Sequence, residues 1–302
     1  MNSTAQIVKS RKRSNDLLLI LRPWQWVKNV FVLMPLLFSG SLFALDRIFA
    51  ALLALTAFCL SSSAVYVLND ILDVSADRLH PRKRERPIAS GRVSPLTAAI
   101  LGGAVALAAL AVAFFTLPIG FFWLVGLYLV LNVLYCSWLK HRVIVDVMVV
   151  AIGFVLRLLG GCVAIEVVPS SWIMVCGFSL AMVLGFGKRR CEIAVFGADA
   201  GIRPSLTSYS APKLDTLLAI TVSVTLMSYM LYTVAPETIQ LHHTRHLYYT
   251  IPFVAYGLFR YLFKTQEGKG DGPVEVLSRD PIFLVNGLLW LAAVGVVLYL
   301  FP

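Results

Sequence analysis

Residues 47–77 read RIFAALLALTAFCLSSSAVYVLNDILDVSAD. From Ile48 to Leu68 no residue is charged. A helix rises about 1.5 Å per residue, so this run alone crosses roughly 30 Å of hydrocarbon. Lipid offers backbone amides no partners and the run lacks the alternation of a barrel strand, which makes it a helix. It ends in NDxxDxxxD: Asn69, Asp70, Asp73 and Asp77. On a continuing helix, Asn69, Asp73 and Asp77 recur every four residues and share one face, with Tyr66 a turn earlier. Carboxylates so spaced at a membrane boundary repel each other and call for a positive partner. Magnesium suits them, because it takes oxygen ligands and is held by one or two carboxylates together with substrate phosphates. The plainer alternative is a solvated helix end bridged to the basic loop that follows.

Outward from this stretch, the same apolar pattern repeats along the chain. Of 302 residues 59% are hydrophobic and only 14% charged, which excludes a water-soluble globule. Spans are predicted at 24–44, 47–72, 95–115, 118–138, 143–166, 170–187, 214–234, 248–265 and 281–301, nine helices in one all-α polytopic domain over 1–302. Of the 26 Lys and Arg, 23 fall in the N-terminal tail and alternate connections, Arg47 and Arg245 lie on the other side, and Arg157 is inside a span. The positive-inside rule places the N-terminus, the tail at 1–22 and the loops at about 73–94, 188–213 and 266–280 in the cytoplasm, with the chain in the plasma (inner) membrane. Ser14–Leu21 is expected to lie on the membrane surface as an amphipathic helix.

The charged connections concentrate chemistry on that side. The loop after the acidic motif carries Arg78, Arg82, Lys83, Arg84, Arg86 and Arg92. Alone it is a topology signal or headgroup patch; beside a metal site it would neutralise a diphosphate. RPWQWVKN supplies Arg22, Lys28 and Asn29; YCSWLK supplies Tyr135 and Lys140; GKRRCE supplies Lys188, Arg189 and Glu192. YGLFRY gives Tyr256, Arg260 and Tyr261, ahead of a loop with Gly268, Gly270, Gly272, Pro273 and Glu275 that reads equally as a phosphate cradle or a plain connection. Trp24, Trp26 and Trp138 read as interfacial anchors. Arg157 must face protein or a polar cavity, and both a structural contact and a role in a lipid channel stay open; Asp146 is too far along the helix to pair with it. His242, His243 and His246 read as a solvated loop, and the five scattered cysteines suggest neither disulfide nor zinc.

Taken together, the nine spans, NDxxDxxxD, the KRERPIASGRVS stretch and YCSWLK resemble the UbiA superfamily of intramembrane prenyltransferases across nearly the whole chain. That superfamily carries a second Asp-rich motif where this chain reads GKRRCEIAVFGADAG, so two carboxylates of a second metal site are missing. With RPWQWVKN and YGLFRY, the basic replacement resembles the branch that uses phosphoribosyl pyrophosphate as donor and polyprenyl (decaprenyl) phosphate as acceptor for cell-wall arabinan. The resemblance implies Mg2+ on Asn69, Asp73 and Asp77, with Asp70, Asp73 and Asp77 as the catalytic acids. It implies donor-phosphate contacts from Lys28, Lys140, Lys188, Arg189 and Arg260, and ribose or metal-water contacts from Asn29, Asp70, Tyr135, Glu192 and Tyr261. Tyr66, Arg78, Lys83, Arg86 and Tyr256 complete the expected substrate shell. Expected partners are the two substrates and membrane lipids, with a homo-oligomer as an open alternative and nucleic acid excluded. Two other functions compete: transfer of a prenyl chain from its diphosphate to an aromatic acceptor, and a non-enzymatic lipid transporter or scaffold.

Overall fold

Every regular element among the described residues of the computed structural model is helical; these residues are 16–80, 82–196, 206, 208–267 and 280–300. The membrane-length segments are α1 (Asp16–Phe38), α2 (Leu45–Leu72), α4 (Pro95–Thr116), α5 (Ile119–Ser137), α6 (Val145–Ala164), α7 (Ser171–Phe196), α8 (Ala211–Val234) and α11 (Pro281–Leu300). Short helices α3 (Val74–Leu79) and α9 (Pro236–His242) and the helix α10 (Ile251–Gln266) complete the set. Among the described residues eight helices are thus long and apolar enough to cross a bilayer, one fewer than expected. The predicted span at 248–265 is divided instead. Its helix α10 has 16 residues and reaches about 24 Å, and the tighter turn His246–Thr250 precedes it.

The first segment differs most from expectation. Arg22 adopts a left-handed conformation (φ 51°, ψ 59°) before Pro23, a position where ring sterics disfavour a continuing α-helix. The next 11 residues, Pro23–Leu33, wind as a 3₁₀-helix, and a single α-turn Met34–Phe38 ends the segment short of residue 44. In residues 16–21 Leu18 and Leu19 are exposed while Ile20 turns inward. Ile20 is fully buried and packs with Val67, Ile88, Val93 and Ala98, so this piece clamps the loop after α3 against α2 and α4.

α2 does not run through the acidic motif as one helix. It stops at Leu72, Asp73 bends (φ −93°, ψ 7°), and α3 restarts at Val74. The expected single-helix stripe of Asn69, Asp73 and Asp77 is therefore broken in the middle.

Two apolar cores hold the helices around this bend. One joins α1, α2, α5 and α6 through Val32, Phe58, Phe121, Tyr128 and Leu156, with Phe58 meeting Phe121 and Tyr128 edge-on at 5.7 and 5.4 Å. The other joins α6, α7, α8 and α10 through Val147, Phe154, Phe186, Leu218 and Tyr261. Gly161 lets α6 touch the α1 backbone: a β-carbon there would lie 2.1 Å from the Val32 carbonyl oxygen. Alanine at that position would push the two helices apart.

Candidate active site

The bend at Asp73 and the break at Arg22 meet at the same end of the bundle. Arg22 Nη2 donates to Asp70 Oδ1 at 2.5 Å, and its guanidinium lies 5.5 Å over the Tyr66 ring. Arg86 Nη1 bridges Asp70 Oδ1 (3.0 Å) and Asp77 Oδ2 (2.6 Å). Lys140, from the short turn Leu139–His141, donates to Asp73 Oδ1 at 2.5 Å and to Asn69 Oδ1 at 3.5 Å. Asn69 Nδ2 in turn donates to Asp73 Oδ2 at 3.0 Å. Only Arg86 comes from the adjacent basic loop. Arg22 and Lys140 arrive from remote parts of the chain, which a merely solvated helix end has no reason to assemble.

Exposure separates the three acids. Asp70 and Asp77 are buried, whereas the Asp73 side chain keeps 31% of its surface open. Among the described residues no group of three or more His, Cys, Asp and Glu side chains is placed to hold a metal ion. Asn69 Oδ1 and Asp73 Oδ1 both face the Lys140 ammonium, and two hard oxygen donors around one cation fit magnesium of the kind that shares its shell with phosphate and water. Asp77 is engaged by Arg86 instead of joining that pair.

Lys28 is half-buried, within electrostatic range of Arg22 and Arg157, and its ammonium has no hydrogen-bond or ion-pair partner among the described residues. A cation left so among other cations is suited to an anionic ligand. The cluster as a whole can take a multiply charged phosphate compound, with an accessible acid for a metal and cations on either side of it.

Other expected site residues are used differently. Asn29 is fully buried: its amide donates to Ser62 Oγ (3.1 Å) and its oxygen accepts from Arg157 Nε (2.7 Å). Arg157 also donates to Tyr128 OH (2.8 Å) and the Gly153 carbonyl (3.0 Å), so the mid-span arginine is locked in a protein contact. Arg189 is buried between Asp146 Oδ2 (2.8 Å) and Glu192 Oε2 (2.6 Å) and presents a structural ion network rather than an open phosphate contact. Tyr209 completes it, donating to Asp146 Oδ1 (3.1 Å) and accepting from the amide of Ile144, a left-handed residue (φ 68°), at 2.7 Å. Burial, and then the charge of Asp146, pushes the Tyr209 phenol well above its ordinary range and keeps it a donor.

Arg260 is gripped by both oxygens of Asp280, at 2.7 and 2.8 Å, and donates to Tyr256 OH. Asp280 also accepts from the amides of Ile282 and Phe283 at the start of α11, so this pair staples α10 to α11. Tyr261 is buried, its hydroxyl without a hydrogen-bond partner among the described residues and nested against Gly187, where a β-carbon would lie 2.0 Å away. Lys83 is half-buried and its amide donates to His80 Nδ1. Arg78 donates to the Ala89 carbonyl at 3.2 Å. Tyr135 and Lys188 are half-buried at the same end, Tyr135 near Arg189. The glycine-rich loop from Gly268 to Glu275 lies outside the described residues. At the opposite end, His242 is not solvated but buried at the close of α9.

Tyr128, Asp146 and Tyr209 support the site without standing out in the sequence, and Arg22, legible there only as one cation at that face, pairs with Asp70. Asp146 carried a signal, since an acid inside an apolar span demands a buried cation. Tyr209 carried none, because its role depends on where a connection folds back.

An apolar cavity of about 340 Å³ runs between α1, α6, α7, α8, α10 and α11, lined by Phe31, Leu158, Gly177, Phe283 and Trp290 among others, and none of the acidic cluster's side chains is in its wall. It gives a long hydrocarbon chain a place inside the bundle.

The sequence profile of the UbiA prenyltransferase family matches residues 30–287. The chain belongs to this family of membrane transferases. Within it, the chain is 33% identical over 99% of its length to decaprenyl-phosphate phosphoribosyltransferase of Corynebacterium glutamicum, covering 93% of that protein. It is 30% identical over 94% of its length to the protein of the same name from Mycolicibacterium smegmatis, again covering 93%. In three dimensions it is similar to a UbiA homologue from Archaeoglobus fulgidus bound to DMAPP and Mg2+, with a TM-score of 0.70, 20% identity, and coverage of 94% of this chain and 99% of the other. That likeness establishes the fold.

Proposed function

We propose that this protein transfers 5-phosphoribosyl from phosphoribosyl pyrophosphate to polyprenyl (decaprenyl) phosphate, releasing pyrophosphate, at the cytoplasmic face of the plasma membrane, for cell-wall arabinan. One observation carries the reading: the acidic motif is surrounded by Arg22, Arg86 and Lys140, with Lys28 in electrostatic range of Arg22, while the position of a second acidic motif is occupied by the closed Arg189 network. A donor with a diphosphate and a 5-phosphate needs more cations than a prenyl diphosphate does. The similarity to proteins named for this activity over nearly their whole length supports it.

Asn69 and Asp73 would hold magnesium, whose charge would stabilise the departing pyrophosphate. Lys140 can leave the open Asp73 as a donor phosphate takes its place, whereas Arg86, held by the buried Asp70 and Asp77, and Arg22 stay as fixed cations, with Lys28 near Arg22. A lipid phosphate monoester has a second pKa near 6, so it is mostly dianionic at neutral pH and attacks the anomeric carbon without a strong base. Catalysis then rests on alignment and on charge stabilisation. The isoprenoid tail stays in the apolar bundle or the surrounding lipid while its phosphate faces the cluster.

The deciding assay incubates purified protein with Mg2+ and either labelled phosphoribosyl pyrophosphate plus decaprenyl phosphate, or a prenyl diphosphate plus aromatic acids. Labelled lipid in the first mixture is the expected result. Product in the second mixture alone would reject it in favour of prenyl transfer.

A further inference from the structure

Chain direction places a second chamber at the end of the bundle away from the acidic motif. It is bounded by the end of α1, the start of α2, the end of α6, the start of α7 and the α8–α9 junction, and its volume is about 640 Å³. That is the size of a small-molecule site. Unlike the apolar cavity it is partly polar, with Ser39, Arg47, Ser170, Ser171, Glu237 and Thr238 in its wall. Met34, Phe38, Leu158 and Ile173 line both spaces, so the polar chamber opens onto an apolar floor that backs the lipid-sized cavity.

Three features of this chamber call for an occupant. Arg47 and Glu237 carry opposite charges in one chamber, yet neither forms an ion pair with any described residue; Arg47 donates only to Ser41 Oγ, at 2.6 Å. Thr238 Oγ1, in the chamber wall, is buried without a hydrogen-bond partner among the described residues, as is His242 Nε2 one helical turn behind it and outside the wall. Such groups are ordinarily satisfied by protein, water or ligand. Arg47 is also one of only two basic residues that the sequence assigns to this face, so its position is not part of a general basic coating.

We propose that this chamber binds the headgroup of a zwitterionic, ethanolamine-type phospholipid. The phosphate meets Arg47 and the serine and threonine hydroxyls, the ammonium meets Glu237, and an acyl chain lies on the floor formed by Met34, Phe38, Leu158 and Ile173. Charge complementarity selects this head. A purely anionic lipid would face Glu237 without a counter-charge, and a purely cationic one would face Arg47. Trp172, partly exposed at the wall, is the residue type enriched at membrane interfaces.

The test is native mass spectrometry of the full chain in detergent, titrated with phosphatidylethanolamine or phosphatidylglycerol of identical acyl chains. The wild type should retain one phosphatidylethanolamine per chain with about fivefold preference over phosphatidylglycerol. Glu237→Gln should erase the preference and Glu237→Lys should invert it. Arg47→Ala should weaken retention of both lipids by about tenfold. Inversion in Glu237→Lys is a gain of binding, so it reads the site even if Arg47→Ala fails to fold. Equal retention of the two lipids by the wild type, or an unchanged preference in Glu237→Lys, would overturn the proposal. So would soluble phosphoethanolamine binding as tightly as the lipid, since the head would then be recognised without the tail.

Discussion

Two clusters of acids and cations sit at the same end of this bundle, and water reaches them very differently. The cluster on α2 and α3 leaves Asp73 and Arg86 about a third and a quarter exposed, and each of its acids is covered by a side chain from a separate element. The cluster on α6 and α7 buries Asp146 completely and Arg189 almost completely, and closes them with Glu192 and Tyr209. Similar chemistry therefore yields opposite properties. Cations at an open cluster can exchange a carboxylate for a phosphate, because solvent shares the cost of the exchange; cations at a closed one cannot leave without stranding a buried charge.

The sharpest way to break this contrast is to cut the closed cluster. Asp146→Ala leaves Arg189 short of a partner and should lower stability by about 3–5 kcal/mol; an unshifted thermal midpoint in detergent would show that the network is not structural. Asp73→Asn acts on the open cluster and should cut turnover about 100- to 1000-fold with the thermal midpoint retained. If it unfolds the protein instead, the open cluster is structural too and the contrast fails. Arg157→Lys tests a third, wholly internal cation: it loses the planar fork to Asn29, Tyr128 and Gly153, and should destabilise by about 1.5–3 kcal/mol, read by chemical denaturation.

Smaller effects sharpen the picture. Tyr209→Phe removes the hydroxyl that joins Asp146 to the Ile144 amide and should cost about 1 kcal/mol, measured as a fall in thermal midpoint. The Arg260–Asp280 staple supplies the pH dependence. Hydrogen bonds from Arg260 hold the Asp280 carboxyl below the usual carboxylate range. A depressed carboxylate stabilises the fold above its ordinary value, near 3.9, and loses that contribution as pH falls through its lower folded value. The thermal midpoints of wild type and Asp280→Asn should therefore differ at neutral pH, draw together as pH falls past about 4, and converge only once pH is below the lower folded value. A gap that persists there would assign the stabilisation to something other than this ion pair.

The chemistry of the site was largely legible one residue at a time. Asn69, Asp73 and Lys140 were singled out from motif and span ends, and the structure brings them into one hydrogen-bonded set. The expected roles of Asn29, Arg189 and Arg260 differ from their places, since each is engaged by an internal partner: Arg157, Asp146 or Asp280. A cation at a helix end looks the same in sequence whether it serves a ligand or a buried acid. The partner is what distinguishes them, and it lies 128 residues away for Asn29 and 43 for Arg189.

Apolar length and the placement of charge are local properties, so the chain alone determined that this is a helical membrane protein with its acids and bases gathered at one end. The break at Arg22, the bend at Asp73 and the division of the open cluster from the closed one were decided only by tertiary packing. Each depends on which distant cation fills the space beside a carboxylate, and only the packed helices fix that distance.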